Sequence, residues 1–191
     1  EFDQYAARVG FDLFNSALFG RVVNTADWKR SDSDPKDIKF CQDTMDGFRH
    51  TVPLLLSPLE KLLIVNLGLS TRRFEALCTN FDAAETRASE IIEDFIARRR
   101  RGELTELEEH SYMAKTLDWY EEETHKNISL DQVKTLCFTL LTAAVDTTSS
   151  ILNWSTIHLA LNPDVQAKLH AEIQQHLEAG EDIVSVISKR R

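Results

Sequence analysis

Apolar residues recur every three or four positions over most of the chain, the spacing of a single stripe along a helix. Tyr5, Val9, Leu13 and Ala17 form the first such series, and Gly20 marks its end. The polar stretch from Asn24 to Lys36, rich in Asp and Ser around Pro35, reads as a loop into a second helix over about Asp37 to Leu56. Between Thr71 and Arg101, the residues Phe74, Leu77, Cys78, Phe81, Ala88, Ile91, Ile92, Phe95 and Ile96 line one helical face. Arg98 to Arg101 crowd its last turn, where cations suit the negative end of the helix dipole, and Gly102 supplies a stop. The four arginines therefore read as a helix terminus rather than a binding patch. A weaker helix covers about Leu104 to Glu123.

From Val52 to Leu69 the chain is strongly apolar, yet Pro53 and Pro58 punctuate it and it is too short to span a bilayer. One reading is a core-packed loop. The other is a surface that dips into a lipid interface, with Leu54, Leu55, Leu56, Leu62, Leu63 and Val65 as the apolar contacts.

The longest uninterrupted segment begins at Ser129, which with Gln132 has the form of a capping box, and no Gly or Pro follows until Pro163. A helix from Leu130 to Leu161 would be roughly 48 Å long. A compact globule of this length is only about 40 Å across, so the helix reads as part of a larger domain. Between Lys134 and His158 the sole formal charge is Asp146, and Leu136, Phe138, Leu140, Leu141, Val145, Ile151, Leu152 and Trp154 fall on every side. That pattern predicts a central, buried helix. Thr139, Thr142, Thr147, Thr148, Ser149, Ser150 and Asn153 interrupt it too often for a membrane span.

Its middle, Ala143-Ala144-Val145-Asp146-Thr147-Thr148-Ser149-Ser150, concentrates residues that helix propensity disfavours. A structural reading has each hydroxyl bonding the carbonyl four residues back and Asp146 pairing with a distant cation. A functional reading has the helix opening locally, with Ala143 and Ala144 leaving room for a flat ligand and the Asp146 and Thr147 pair moving protons. The residues alone leave both open.

Composition narrows the partners. The chain has 22 Lys and Arg against 31 Asp and Glu, a formal charge of −9, and no basic face of the kind that phosphate neutralisation requires, which excludes nucleic acid. Only six Gly and four Pro interrupt 191 residues, as an all-α protein would have it. Cys41, Cys78 and Cys137 lie far apart inside apolar helical patterns, which predicts buried, reduced thiols. Glu122-x-x-His125 has di-iron ligand spacing but occurs once, and His110, His158, His170 and His176 lack partners at metal-ligand offsets. Asn127-x-Ser129 and Asn153-x-Ser155 match a glycosylation pattern, one at a helix cap and one inside the long helix. The chain opens on Glu1 without a charged, apolar, small-residue leader pattern, so any targeting peptide or membrane anchor is expected to have been removed or to lie outside the chain.

The segment Leu140 to Ile173, LLTAAVDTTSSILNWSTIHLALNPDVQAKLHAEI, resembles the distal I helix and following J helix of cytochromes P-450. Their motif, (Ala/Gly)-Gly-x-(Asp/Glu)-Thr-(Thr/Ser), stands here as Ala143-Ala144-Val145-Asp146-Thr147-Thr148, followed by Asn162-Pro163-Asp164 and Gln166-x-x-Leu169-x-x-Glu172. Earlier elements are similar to helices E to H, including Leu18-Phe19-Gly20-Arg21. The resemblance implies an incomplete cytochrome P-450 fold, one partial domain over residues 1–191 built around the long helix. It implies a haem-dependent monooxygenase that hydroxylates a hydrophobic small molecule with dioxygen and two electrons from a redox protein. Thr147 would then hydrogen-bond dioxygen, Asp146 would gate proton delivery, and Ala143, Ala144 and Thr147 would border the haem.

Departures from the family accompany the match. Ala144 stands where Gly is usual. None of the three cysteines has Gly two residues on, as the axial-ligand loop requires, and the Glu-x-x-Arg and Trp-x-x-x-Arg pairs are absent. The axial ligand is therefore expected outside this chain, which on its own would be inactive. The segment 52–69 falls between helices F and G, a region that commonly touches a membrane. The implied setting is a mitochondrial or endoplasmic-reticulum membrane, and the motif variant leans to the mitochondrial branch. The alternative is a non-catalytic all-helical interaction module, or a degenerate fragment, that binds no haem.

Overall fold

The computed structural model describes residues 2–27, 33–121 and 129–180, and every regular element among them is helical. They are α1 (Phe2–Phe19), α2 (Pro35–Leu56), α3 (Pro58–Lys61), a π-helical turn (Leu62–Asn66), α4 (Arg72–Arg101), α5 (Glu106–Glu109), α6 (Tyr112–Glu121), α7 (Leu130–Leu161) and α8 (Pro163–Glu178). Glu122, His125, Asn127, Trp28 and the tail from Glu181 lie outside the described residues. Contacts divide the chain into two compact units, 1–150 and 151–191.

Local chemistry sets the helix ends. Asp34 caps α2 by accepting from the Lys36 N–H at 2.8 Å, with Pro35 pre-set for the first turn. Thr71 caps α4 through the Phe74 N–H, and Gly102 closes it in the left-handed conformation at φ 69°. Ser129 and Gln132 do form the expected capping box, with reciprocal bonds of 2.7 and 3.2 Å. The weak helix expected over 104–123 is broken in two. Ser111 donates to the Glu108 carbonyl at 2.6 Å and accepts from the Ala114 N–H at 3.2 Å, so it ends α5 and begins α6.

In the first unit, the apolar faces of α1, α2, α4, α6 and the first five turns of α7 close over Phe11, Phe19, Phe40, Ile92, Phe95, Met113 and Leu141. In α1 the buried face is that of Ala7, Phe11 and Leu18, whereas Tyr5, Leu13 and Ala17 of the expected series are exposed. Phe11 meets Phe40 edge to face at 5.1 Å, and Phe48 meets Phe81 at 5.6 Å. Gly47 makes room for the Phe81 ring: a Cβ there would lie 2.8 Å from it. Asp37, buried at the start of α2, takes Arg21 at 2.9 Å and Arg87 at 3.2 Å, joining α2 to the end of α1 and to α4. The arginine run behaves as a terminus. Arg98 bonds Asp94 and Glu108, Arg99 bonds Asp118, Glu121 and the Ala114 carbonyl, and Arg101 bonds Glu103.

The segment 52–69 is neither a loop nor packed in the core. α2 continues through Pro53 to Leu56, and α3 and the π-helical turn follow. Leu56 and Val65 are 76% and 78% exposed, and Val52, Leu55, Leu59, Leu62, Leu67 and Leu69 are exposed with them, while Leu54 and Leu63 are half-buried. Pro58 starts a new helix at its first turn, while Pro53 is carried inside the last turns of α2 without ending it.

α7 is not buried all round as its composition suggested. Val133, Cys137, Leu141, Thr142, Val145 and Ser149 form one buried stripe, while Leu136, Ile151, Trp154 and Leu161 are exposed. Up to Ser150, only one side of the helix meets other described elements of the first unit: Phe138 faces Phe81, Cys137 touches the Met113 sulfur at 3.4 Å, and Lys134 pairs with Glu93 at 2.6 Å. By length and composition α7 could cross a bilayer. Its buried stripe and mid-helix hydroxyls are those of a helix packed on protein.

In the second unit, Pro163 opens α8. Asn162 stands at the N-cap, but its side chain donates back to the His158 carbonyl at 2.7 Å rather than capping α8. Val165, Leu169, Ile173 and Leu177 recur along one exposed side of that helix.

Candidate functional site

Helical geometry turns successive side chains by about 100°, so the Ala143–Ser150 cluster cannot all face one way. Val145 and Ser149 belong to the buried stripe, against α1. Ala143 and Thr147, one turn apart, are both exposed, and Ala144 beside them is half-buried. Asp146 is exposed as well, at the edge of the stripe. The expectation of a buried acid and hydroxyl is therefore corrected. The strip that carries Thr147 is the one that no other described element of the unit covers.

The hydroxyls bond along the helix, Thr142 and Thr147 four residues back as the structural reading had it and Ser149 three residues back. Thr147 Oγ1 donates to the Ala143 carbonyl at 3.0 Å, Thr142 Oγ1 to the Phe138 carbonyl at 3.0 Å, and Ser149 Oγ to the Asp146 carbonyl at 2.9 Å. These bonds remove the cost of hydroxyls in mid-helix without any ligand. They also hold Thr147 Oγ1 against the backbone, from which a change of χ1 would release it.

Asp146 and Thr147 are not brought to a common point. Asp146 lines a cleft of about 150 Å³ with Asp3 and Ala7 of α1, Met45, Phe48 and Arg49 of α2, and Val145 and Ser149 of its own helix. In that cleft Arg49 reaches Asp46 at 2.9 Å. Sequence reasoning missed Asp3 and Arg49, because nothing local marks an exposed charge that tertiary packing carries to another helix. The small positions Ala7 and Gly10, spaced for one face of α1 with Asp3, were the available signal.

Among the described residues no group of three or more His, Cys, Asp or Glu is placed to hold a metal ion. Burial pushes the Cys41 thiol up to about 12, the Thr25 hydroxyl and Arg8 only partly opposing it, and burial alone pushes Cys137 up to about 11. Both are protonated at neutral pH and enclosed in the core, as expected. Cys78 is half-buried on α4.

The sequence pattern of the family described as Cytochrome P-450 matches residues 2–188. The chain belongs to the cytochrome P-450 family. Among the similar proteins are cyclooctat-9-en-7-ol 5-monooxygenase of Streptomyces melanosporofaciens, 29% identical over 71% of this chain and 29% of its own, and an alkane hydroxylase of Arabidopsis thaliana, 26% identical over 73% of this chain and 27% of its own. A cytochrome P-450 monooxygenase of Ampulloclitocybe clavipes is 25% identical over 86% of this chain and 30% of its own. The chain thus spans less than a third of the length of these relatives. As a member of a family of oxidoreductases it carries the motif Ala143 to Thr148 on α7, and that family's cofactor is haem.

The exposed strip fits such a group. Ala143 and Thr147 present small side chains on the open side of α7, and no described side chain of the same unit closes over them.

Proposed function

We propose that this chain supplies the distal side of a haem-dependent monooxygenase centre, in which dioxygen and two electrons from a redox protein hydroxylate a hydrophobic small molecule. One observation carries the reading: within the family motif, Ala143 and Thr147 share an uncovered strip of α7 while the opposite stripe is locked into the core. The match over residues 2–188 favours this over a non-catalytic interaction module.

Ala143, Ala144 and Thr147 would lie against the haem. When bound, the haem supplies dioxygen binding and the redox chemistry. The thiolate that holds its iron would come from a cysteine outside this chain, since none of Cys41, Cys78 and Cys137 has Gly two residues on. The methyls of Ala143 and Ala144 occupy little room and would present a small apolar surface to the group. Thr147 holds a proton at Oγ1, now donated to the Ala143 carbonyl, and rotation about χ1 presents that proton outward. Asp146, about 100° around the helix, faces the polar cleft with Arg49 and Asp3. It takes up protons from the solvent side and passes them on through water, since no direct bond links its carboxylate to Thr147 Oγ1.

The exposed leucines between Val52 and Leu69 support contact with a membrane surface, from which apolar substrates would be drawn. A mitochondrial or endoplasmic-reticulum membrane suits that patch. The test is the reduced, carbon-monoxide-bound absorption spectrum of the protein expressed from its complete coding sequence. A thiolate-type Soret band is expected. Failure to bind haem, or a band of the histidine-ligated kind, would overturn the reading.

A further inference from the structure

Resting on the reading of Asp146 as the proton-handling acid, we infer that Gly10 of α1 is a positioning residue: it sets how closely α1 seats the Val145–Ser149 turn, and so the cleft that Asp146 faces.

Gly10 is buried in the middle of α1, where glycine costs a helix about 1 kcal/mol relative to alanine. A Cβ on it would lie 3.5 Å from the Val145 carbonyl oxygen, 3.5 Å from Thr148 Cβ and 3.7 Å from Thr148 Cγ2. These are ordinary contacts, so one methyl fits. Nothing larger does: a γ atom would have to displace the backbone of α7 or the branched Thr148 side chain. One turn earlier, buried Ala7 lines the cleft together with Val145, Asp146 and Ser149, and Asp3, a further turn on, lines its polar side. α1 therefore meets the acid's turn at two small positions, Ala7 and Gly10. Asp146 lies between Val145 and Ser149, both in the stripe, so any outward shift of α7 at Gly10 moves its carboxylate relative to Arg49 and Asp3.

The test uses the purified chain and a readout independent of haem, so that its failure is distinguishable from failure of the monooxygenase reading. Carbodiimide labelling of carboxylates is followed by peptide mass spectrometry, with Asp82 on the exposed side of α4 as internal reference. Gly10→Ala should leave the Asp146-to-Asp82 labelling ratio unchanged. Gly10→Leu should raise it at least about threefold, because a packed interface cannot absorb the added volume and one flank of the cleft opens. Gly10→Ser serves if the leucine variant does not fold, and Thr148→Ala in that background should bring the ratio back. Ile92→Val, which loosens the core away from α7's acid, should not move it. An unchanged ratio in folded Gly10→Leu or Gly10→Ser, or an equal change in Ile92→Val, would overturn the inference.

Discussion

Replacing Glu108 by Gln tests whether the junction of α1, α4 and α5 is held by charge. Glu108 is almost fully buried and takes Arg98 in a two-pronged pair, Nη2 to Oε1 at 2.6 Å and Nη1 to Oε2 at 2.8 Å. It also accepts the Thr105 N–H at 2.9 Å, completing the capping box of α5. Chiefly the Arg98 hydrogen bonds, and next those of Thr105, against the opposing cost of burial, hold its carboxyl at about 2, against an ordinary 4.5. Because the folded value is the lower one, the stabilisation is complete above the unfolded value of 4.5 and drains away as pH falls towards about 2. The difference corresponds to about 3 kcal/mol at neutral pH, within the range for removing one partner of a buried ion pair. Gln keeps the shape and an acceptor for Thr105 but not the charge. Urea unfolding followed by far-ultraviolet circular dichroism should show a deficit of about 3 kcal/mol at neutral pH, narrowing as the acid limb is descended. A constant deficit at every pH, or none, would refute the electrostatic argument.

The same junction forbids a side chain at Gly20: φ is 66° and a Cβ would sit 2.5 Å from the Glu108 Cα. Gly20→Ala should lower stability by more than about 2 kcal/mol in urea titrations. Thiol titration with an aromatic disulfide near neutral pH should find Cys78 reacting first, with Cys41 and Cys137 silent until the chain is unfolded. Leu56→Glu with Val65→Glu should abolish binding of the chain to phospholipid vesicles in a flotation assay while leaving its helix content unchanged, since both side chains are solvent-exposed.

The sequence made most helices legible because their periodicity is local: the stripe of α4, the Gly20 and Gly102 stops and the Ser129 capping box all stand where it placed them. The break at Ser111 was not visible, since it depends on which carbonyl that one hydroxyl reaches. Apolar composition was read as burial around α7, where it is not, and at 52–69 it left burial and surface exposure both open, of which the structure has exposure. Composition reports what a surface prefers to touch, whereas burial depends on whether a partner is there, and in both places the described residues of the unit supply none. The candidate site was half legible. Its motif and the small residues Ala143 and Ala144 were plain, but the separation of Asp146 from Thr147 follows from the turn of the helix, and the cleft residues Asp3 and Arg49 come from packing between elements.

The central claim, that haem lies against the Ala143 and Thr147 strip of α7, can be measured as a proximity. A nitroxide attached at A143C in the haem-loaded protein should relax much faster than one attached at D82C on α4, because spin relaxation steepens sharply near paramagnetic iron. Equal relaxation at the two positions would show that the strip faces something else.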